Sequence, residues 1–575
     1  MFKKLLLSAV IFSFACTISY AQEERDLNKE VKVKTTYQPK INKSKRIGEL
    51  PTLVDTTKFT PSFNYFIQTK PLSVGFSPAL IPAARIVGEP LQSVNSHALT
   101  LAGGNYATLF GDYRYNNQRS KTSDLGVHIR HYSTNGKVEL ENGEDAKPDW
   151  TEQLAEVYGK IYLDDSELSG RVYYGHKGYN YYGDKFVNQS SLFDYDSQKQ
   201  DRFGLNADFK TTFKDLERLN FGIGLEYEHF GDDFEVAEND LLIKAEAKIK
   251  RGEGLWSLTS EFDYFATDGL YVSSFDEFED RQTMVWTLSP KYSLQSDALN
   301  ISLGVDAVLA MGDDSETKLY PNISMDYEAV DEILTLFAGL DGGLNMNKYN
   351  DIADENPFVY SGLYVSPTNT KYRLFGGVKG SLSSNASFKL SAEYSDVENQ
   401  YFFTRYADLM AVSGGVAVRN TNKFAIEQDD ISLLRLGAEV TIGWTDKLQL
   451  NSSVWYNSYS MDALEEAWYK PEFEMNVNAS YLFSEELSFQ AGVSVLGERS
   501  VASYEVNDFG GTVIVDRVTK NLDAVYDLSI GANYRLNEHF TAFGKVNNLF
   551  ADKYYQWDGY PSQRLNFLLG IKVVF

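Results

Sequence analysis

Long stretches of the chain alternate apolar and polar residues with a period of two. Leu219, Phe221, Ile223, Leu225 and Tyr227 share one face, against Asn220, Gly222, Gly224, Glu226 and Glu228 on the other. Ile301, Leu303, Val305, Ala307 and Leu309 oppose Ser302, Gly304 and Asp306, and Phe388, Leu390, Ala392 and Tyr394 oppose Lys389, Ser391 and Glu393. Leu522, Ala524, Tyr526, Leu528, Ile530 and Ala532 oppose Asp523, Val525, Asp527, Ser529 and Gly531. At the C-terminus Leu565, Phe567, Leu569, Ile571, Val573 and Phe575 form one face, with Arg564, Asn566, Leu568, Gly570, Lys572 and Val574 on the other. These runs are about 10 to 14 residues long, close to the roughly 9–11 that a tilted strand needs to cross a bilayer. Soluble strands average about 5–6. An apolar face paired with a mixed or polar one, at this length, fits a strand between lipid outside and a polar lumen inside. The competing architecture, an exported array of β-sandwiches, would use shorter strands.

The connections alternate in length as well. Working back from Phe575, short turns fall near Asn537, Ser484, Asp446, Ser383, Asp331, Ser296, Gly252, Asp215 and Asp165. Longer segments separate them: Gly178–Gln200, Ala266–Asp280, Asn345–Thr368, Ala407–Asp430 and Glu498–Lys520. Short periplasmic turns and long outer loops are the asymmetry of an outer-membrane barrel. The expected fold is therefore all-β: a transmembrane antiparallel β-barrel of about 22 strands, with 20 or 24 open. The pair around His97 to Tyr115 is the hardest to place. The 38 Tyr and 36 Phe suit aromatic girdles at two membrane interfaces. No run beyond the N-terminus reaches the roughly 18 apolar residues of a membrane helix.

Residues 1–21 read as a secretory signal peptide: Lys3 and Lys4, an apolar core from Leu5 to Phe14, and Ser19-Tyr20-Ala21 before the cleavage point. Cleavage before Cys16, as in a lipoprotein, is the weaker alternative, because Ser13-Phe14-Ala15 is a poor recognition sequence for it. Cys16 is the only cysteine, so after cleavage at Ala21 no disulfide or thiol chemistry remains. Residues 22–95 hold half of the 14 prolines and a basic cluster from Lys29 to Arg46. Proline cannot donate to a sheet ladder, so this stretch is expected to be a periplasmic or lumenal tail, with the barrel spanning 96–575. An exported chain of formal charge −26 gives no support to nucleic-acid binding.

The segment Gly544-Lys545-Val546-Asn547-Asn548-Leu549-Phe550-Ala551-Asp552-Lys553-Tyr554-Tyr555, then a short aromatic loop and a final strand ending in Phe, resembles the C-terminal signature of TonB-dependent outer-membrane receptors. The motif positions are Asn548, Leu549, Phe550, Lys553 and Tyr554. Gly570, Val573 and Phe575 resemble the terminal signal that such barrels present to the barrel assembly machinery. Glu30-Val31-Lys32-Val33-Lys34-Thr35, followed by Pro39, resembles the passage where a TonB box leads into a plug domain. The resemblance implies a barrel in the outer membrane of a Gram-negative bacterium, in contact with outer-membrane lipid. It also implies a docking strand for TonB or another periplasmic or outer-membrane partner, the alternative being that this segment is a linker or the remnant of a plug. The chain departs from the family in its N-terminal region: 22–95 is about half of a family plug and carries no Leu-Arg-Gly or Ile-Asp-Gly core.

Nothing in the sequence points to an enzyme or a cofactor. His128 and His131, the only close pair among six histidines, lie three apart and so face opposite sides of a strand, unable to share a metal. The acidic runs Asp276–Asp280, Asp313–Glu316 and Asp351–Glu355 lack calcium-loop spacing and read as solvated loops. The functional expectation is solute uptake or transport across the outer membrane. The alternative is a plugless barrel serving as a structural or interaction subunit of an outer-membrane assembly. Aromatic outer segments such as Tyr179–Tyr182 and Tyr554–Tyr560 suit ligand capture, but aromatics at a membrane rim look the same.

Overall fold

The computed structural model describes residues 95–575, apart from 118–119, 184–196, 272–277, 313–314, 407, 413–414, 420–421 and 509–512. The signal peptide, nearly all of the tail and the Glu30–Thr35 segment lie outside the described residues, as do Asp276, Glu277, Asp313 and Asp314.

The described chain forms a 22-stranded antiparallel barrel in which each strand pairs with its sequence neighbours in the ring. The first strand, His97–Gly104, closes the ring on the last, Asn566–Val574. In hydrocarbon an unpaired backbone N–H has no water to turn to, so this closure is what lets the sheet exist there. The seam is fastened at its end. His97 N donates to Phe575 O at 2.8 Å, Phe575 N donates to His97 O at 3.0 Å, and the two rings stack 4.9 Å apart.

All nine expected short turns fall between consecutive barrel strands. The faces follow the alternation too. Phe567, Leu569, Ile571 and Phe575 are exposed on the outside, as are Phe221, Ile223 and Leu225. Inside, Gly570 lies where a Cβ would meet Phe543 Cζ at 2.5 Å and Leu101 O at 2.6 Å, so the ring of Phe543 covers it. No described helix is long and apolar enough to cross a membrane.

The structure corrects the sequence reading in four places. The expected loop Ala407–Asp430 is mostly strand: Asp408–Val412 pairs with Gly415–Arg419, and the barrel strand Phe424–Thr445 starts within it. The segment Glu498–Lys520 is mostly a hairpin of its own, Arg499–Asp508 against Val513–Leu522. Leu522 therefore ends that hairpin, and the barrel strand begins at Val525 rather than at Leu522. The segment Ala266–Asp280 is mostly strand, because the strands Gly254–Tyr271 and Phe278–Gln295 run on past the expected loop boundaries. The run Asp351–Glu355 is not a solvated loop but part of the helix Tyr349–Glu355, with Ile352 and Ala353 buried.

A closed ring resists detergent because every strand is paired on both sides. The protein is expected to be heat-modifiable, with unboiled and boiled samples migrating differently on a denaturing gel. Gly570→Val is expected to deplete the heat-modifiable form, whereas Leu569→Val, on the exposed face, is expected to leave it intact. Equal yields for the two variants would contradict the packing at Gly570.

Candidate functional site: the loop cap at the outer mouth

Several strands change character at their outer ends. Register breaks occur between Asp341 and Gly343, between Thr370 and Tyr372, and between Val397 and Gln400. An extra residue bends a strand and strengthens its twist. Beyond the last break Phe402, Phe403, Thr404 and Arg405 are all buried, so alternation has ended and both faces are covered.

What covers them is a core built from loops. Phe358 stacks on Tyr560 with ring centroids 3.7 Å apart, and Tyr182 meets both rings edge-on. Trp557 packs edge-on against Phe403 and Phe424. Trp468, Val501 and Ile352 belong to the same buried cluster. Asn422 Nδ2 donates to Tyr181 O at 2.8 Å, and the Tyr560 hydroxyl donates to Asn422 O. Tyr181 follows the strand Ser166–Asn180, and Asn422 precedes Phe424–Thr445, nearly half-way round the ring. Loops from opposite sides thus meet over the mouth. The aromatics of Tyr179–Tyr182 and Tyr555–Tyr560 largely serve this core, since Tyr179, Tyr181, Trp557 and Tyr560 are buried in it.

Polar groups place the pieces. Asp429 accepts the backbone N–H groups of Asp462, Ala463 and Leu464 at 2.9–3.1 Å, which folds the segment leading to Trp468. Arg405 donates to Asp558 O at 2.5 Å. Gly559 has φ +77° and its missing side chain leaves room for that guanidinium, so glycine is required there on both counts.

The helix Tyr349–Glu355 is latched to the inner wall. Glu238 accepts the backbone N–H groups of Tyr349 and Asn350 at 2.9 and 2.8 Å, capping the helix N-terminus with a carboxylate. Lys348 bridges Asp240 and Asp263. Asp354 pairs with Lys177 and Arg202, each at 2.6 Å. Glu355 reaches Lys470 at 2.8 Å and the Tyr401 hydroxyl. Burial opposes the Lys348 charge, but Asp263 and Asp240 outweigh it and hold its pKa above the ordinary lysine value. Burial likewise opposes ionisation of Asp354, yet Arg202 and Lys177 hold it below the ordinary aspartate range.

None of Glu238, Lys348, Lys177 or Arg202 was singled out from sequence, and Asp354 only as part of the acidic run Asp351–Glu355. The local signal was the helical spacing of Tyr349, Ile352 and Ala353 between polar residues. The family-like motif instead forms a corner. Asn548, at φ +47°, is buried and donates to Asp552 O at 2.7 Å. Leu549 and Phe550 are exposed, Lys553 donates to Leu140 O, and the Tyr554 hydroxyl donates to Asp527. Val573 lies between Leu99 and Phe540. His128 faces inward onto Asp112 and Glu156, and His131 bonds Ser133 on the other face, as the spacing implies. Among the described residues no group of three or more His, Cys, Asp or Glu is placed to hold a metal.

Glu238→Ala would leave two buried N–H groups without their acceptor, a cost of about 1–3 kcal/mol. Trypsin is expected to nick the 346–367 segment faster in this variant while the barrel stays heat-modifiable. The latch is also expected to depend on pH. The depressed pKa of Asp354 gives stability that is present above the ordinary aspartate range and lost as pH falls through its folded value. The raised pKa of Lys348 gives stability that is lost as pH rises through its folded value, above the ordinary lysine range. Nicking that depends on these two groups should therefore be slowest between their two folded pKa values. A flat profile would remove these ion pairs as the latch.

No protein-family model and no curated protein matches the sequence. Solved structures do. The siderophore receptor PirA from Acinetobacter baumannii is 10% identical, with a TM-score of 0.62 over 85% of this chain and 81% of its own. The copper transporter OprC is 12% identical, with a TM-score of 0.60 over 85% and 82%. The closed form of the ferric-catecholate import receptor Fiu from E. coli K12 is 10% identical, with a TM-score of 0.62 over 84% and 82%. These likenesses span the ring and agree with the motif at Asn548–Tyr554: the chain has the 22-stranded transmembrane barrel fold of the TonB-dependent outer-membrane receptors.

Proposed function

We propose that the protein takes part in moving a solute across the outer membrane of a Gram-negative bacterium, with the loop cap as its outer gate. The observation that carries this is the latch. A loop that packs over the mouth, yet is held to the wall by ion pairs and hydrogen bonds, has a closed position that polar contacts can exchange. The neighbouring folds named as receptors and transporters support transport as the general class. In this reading residues 1–21 are removed on export, and residues 22–95 serve the periplasmic side. Glu30–Thr35 would then add as a strand to TonB or another partner. Gly570, Val573 and Phe575 would present the last strand to the assembly machinery.

Conductance in a planar bilayer tests the gate. The purified protein is expected to conduct weakly. Replacing 346–367 by a short Gly-Ser linker is expected to raise conductance several-fold, even in a protein that also lacks residues 22–95. If the double deletion stays closed, the cap is not the gate. Removing Phe575 is expected to lower the assembled fraction in the membrane more than it lowers the melting temperature of the protein that does assemble.

One observation favours the second reading, a subunit of an outer-membrane assembly. Tyr179, Tyr181 and Tyr560 are buried in the cap and offer no open aromatic surface to a solute. Purification in mild detergent separates the two readings. Stoichiometric co-purifying chains, together with no solute flux in the cap-deleted barrel, would favour the assembly subunit.

A further inference from the structure

A cavity of about 150 Å³ opens in the barrel wall, lined by Arg130, Glu152, Leu154, Lys177, Gln200 and Arg202 among others. The register places all six on the lumenal face of four consecutive strands, since each is opposite in phase to the exposed Ile129, Val157, Tyr174 and Phe203. Two of its cations, Lys177 and Arg202, are those that hold Asp354 of the cap helix. The third, Arg130, pairs with Glu152 at 3.1 Å.

The cavity is incompletely satisfied. Gln200 is 2% exposed, and its Nε2 donates to the Tyr179 hydroxyl at 3.1 Å. Its Oε1 has no hydrogen-bond partner among the described residues, and neither does Arg202 Nε. A buried acceptor and a buried guanidinium donor, left open two residues apart on one strand, ask for a ligand that offers both an acceptor and a donor.

We propose that this cavity binds the carboxylate of a small solute bearing a neighbouring hydroxyl or amine, and that the carboxylate displaces Asp354 from Lys177 and Arg202. The inference rests on the gate reading above, and it names the solute class that opens the latch. Asp354 shows the chemistry: it is a carboxylate held by two cations at 2.6 Å, beside a cavity that a second carboxylate can enter. Exchanging one carboxylate for another keeps the charge count unchanged. A dianion would add a negative charge close to Glu152, at a cost from like-charge repulsion. The solute's O–H or N–H would donate to Gln200 Oε1. The volume admits a fragment of the size of lactate.

Calorimetric titration of the full-length protein in mild detergent tests this with three probes: lactate, propionate and inorganic phosphate. Lactate is expected to bind, propionate more weakly because it leaves Gln200 Oε1 unpaired, and phosphate least. Asp354→Ala removes the internal competitor and is expected to tighten lactate binding about ten-fold, within the range of ordinary coupling between sites. Arg202→Gln is expected to abolish it, with heat-modifiability on a gel showing that each variant retains its barrel. In the wild type, lactate is expected to speed trypsin nicking of 346–367. A heat-modifiable Asp354→Ala protein that fails to bind lactate overturns the proposal, and so does phosphate binding as tightly as lactate. Lactate binding with no change in nicking overturns the displacement of Asp354. Conductance is read separately, so a gate that fails leaves the binding result standing.

Discussion

The whole architecture depends on one requirement, that each backbone N–H and C=O inside the bilayer find a partner within the protein. A sheet meets it only by closing, and here His97–Gly104 and Asn566–Val574 supply the closing ladder. Closure gives every strand a lipid face and a lumenal face. The side chains then sort by solvent: Leu569 and Ile571 go outward while Lys572 and Asn566 go inward. The polar lumen is the other half of the same sheet, and it offers the cap a wall to hold.

Above the membrane the requirement lapses and packing takes over. The change is visible within one strand, where Ala386–Arg405 alternates up to the bulge near Val397 and then buries consecutive residues from Phe402 to Arg405. Chain that has left the lipid can cover both faces with protein. The cap is accordingly a conventional apolar core of stacked rings, set on a wall that grips it by charge.

The barrel was legible because its signal is local and repeated: period-two runs, with a turn near each of Asn537, Ser484, Asp446 and their counterparts. The cap was not, because its determinants are far apart in the chain. Glu238 caps a helix more than a hundred residues away, and Tyr181 and Asn422 meet only because the ring brings them round. The segment Glu498–Lys520 reads in sequence as a long outer connection, and its uneven pattern, with Val513, Ile514 and Val515 in succession, does not announce the hairpin Arg499–Leu522. Asp351–Glu355 looked like a solvated acidic run because composition does not reveal that Lys177, Arg202 and Lys470 wait across the lumen. The motif at Asn548 stands out in the sequence by its residues alone, whereas the left-handed asparagine at a strand corner that it builds follows from the fold.

The anchors of the 346–367 loop have a mechanical side. Its ion pairs run to strands between Ser166 and Tyr271, while Glu355 reaches Lys470 just past the strand Leu448–Met461. Nine strands of the 22 lie between Asn220–Asp232 and Leu448–Met461, and eleven the other way round, so the loop spans the ring close to a diameter. A chord of that kind works as a brace. A ring of hydrogen-bonded strands bends more easily than it stretches, and lateral pressure in the bilayer tends to flatten it into an oval. With the loop in place, flattening must compress a packed aromatic core or break ion pairs. Releasing the latch would therefore soften the cross-section of the barrel as well as uncover its mouth.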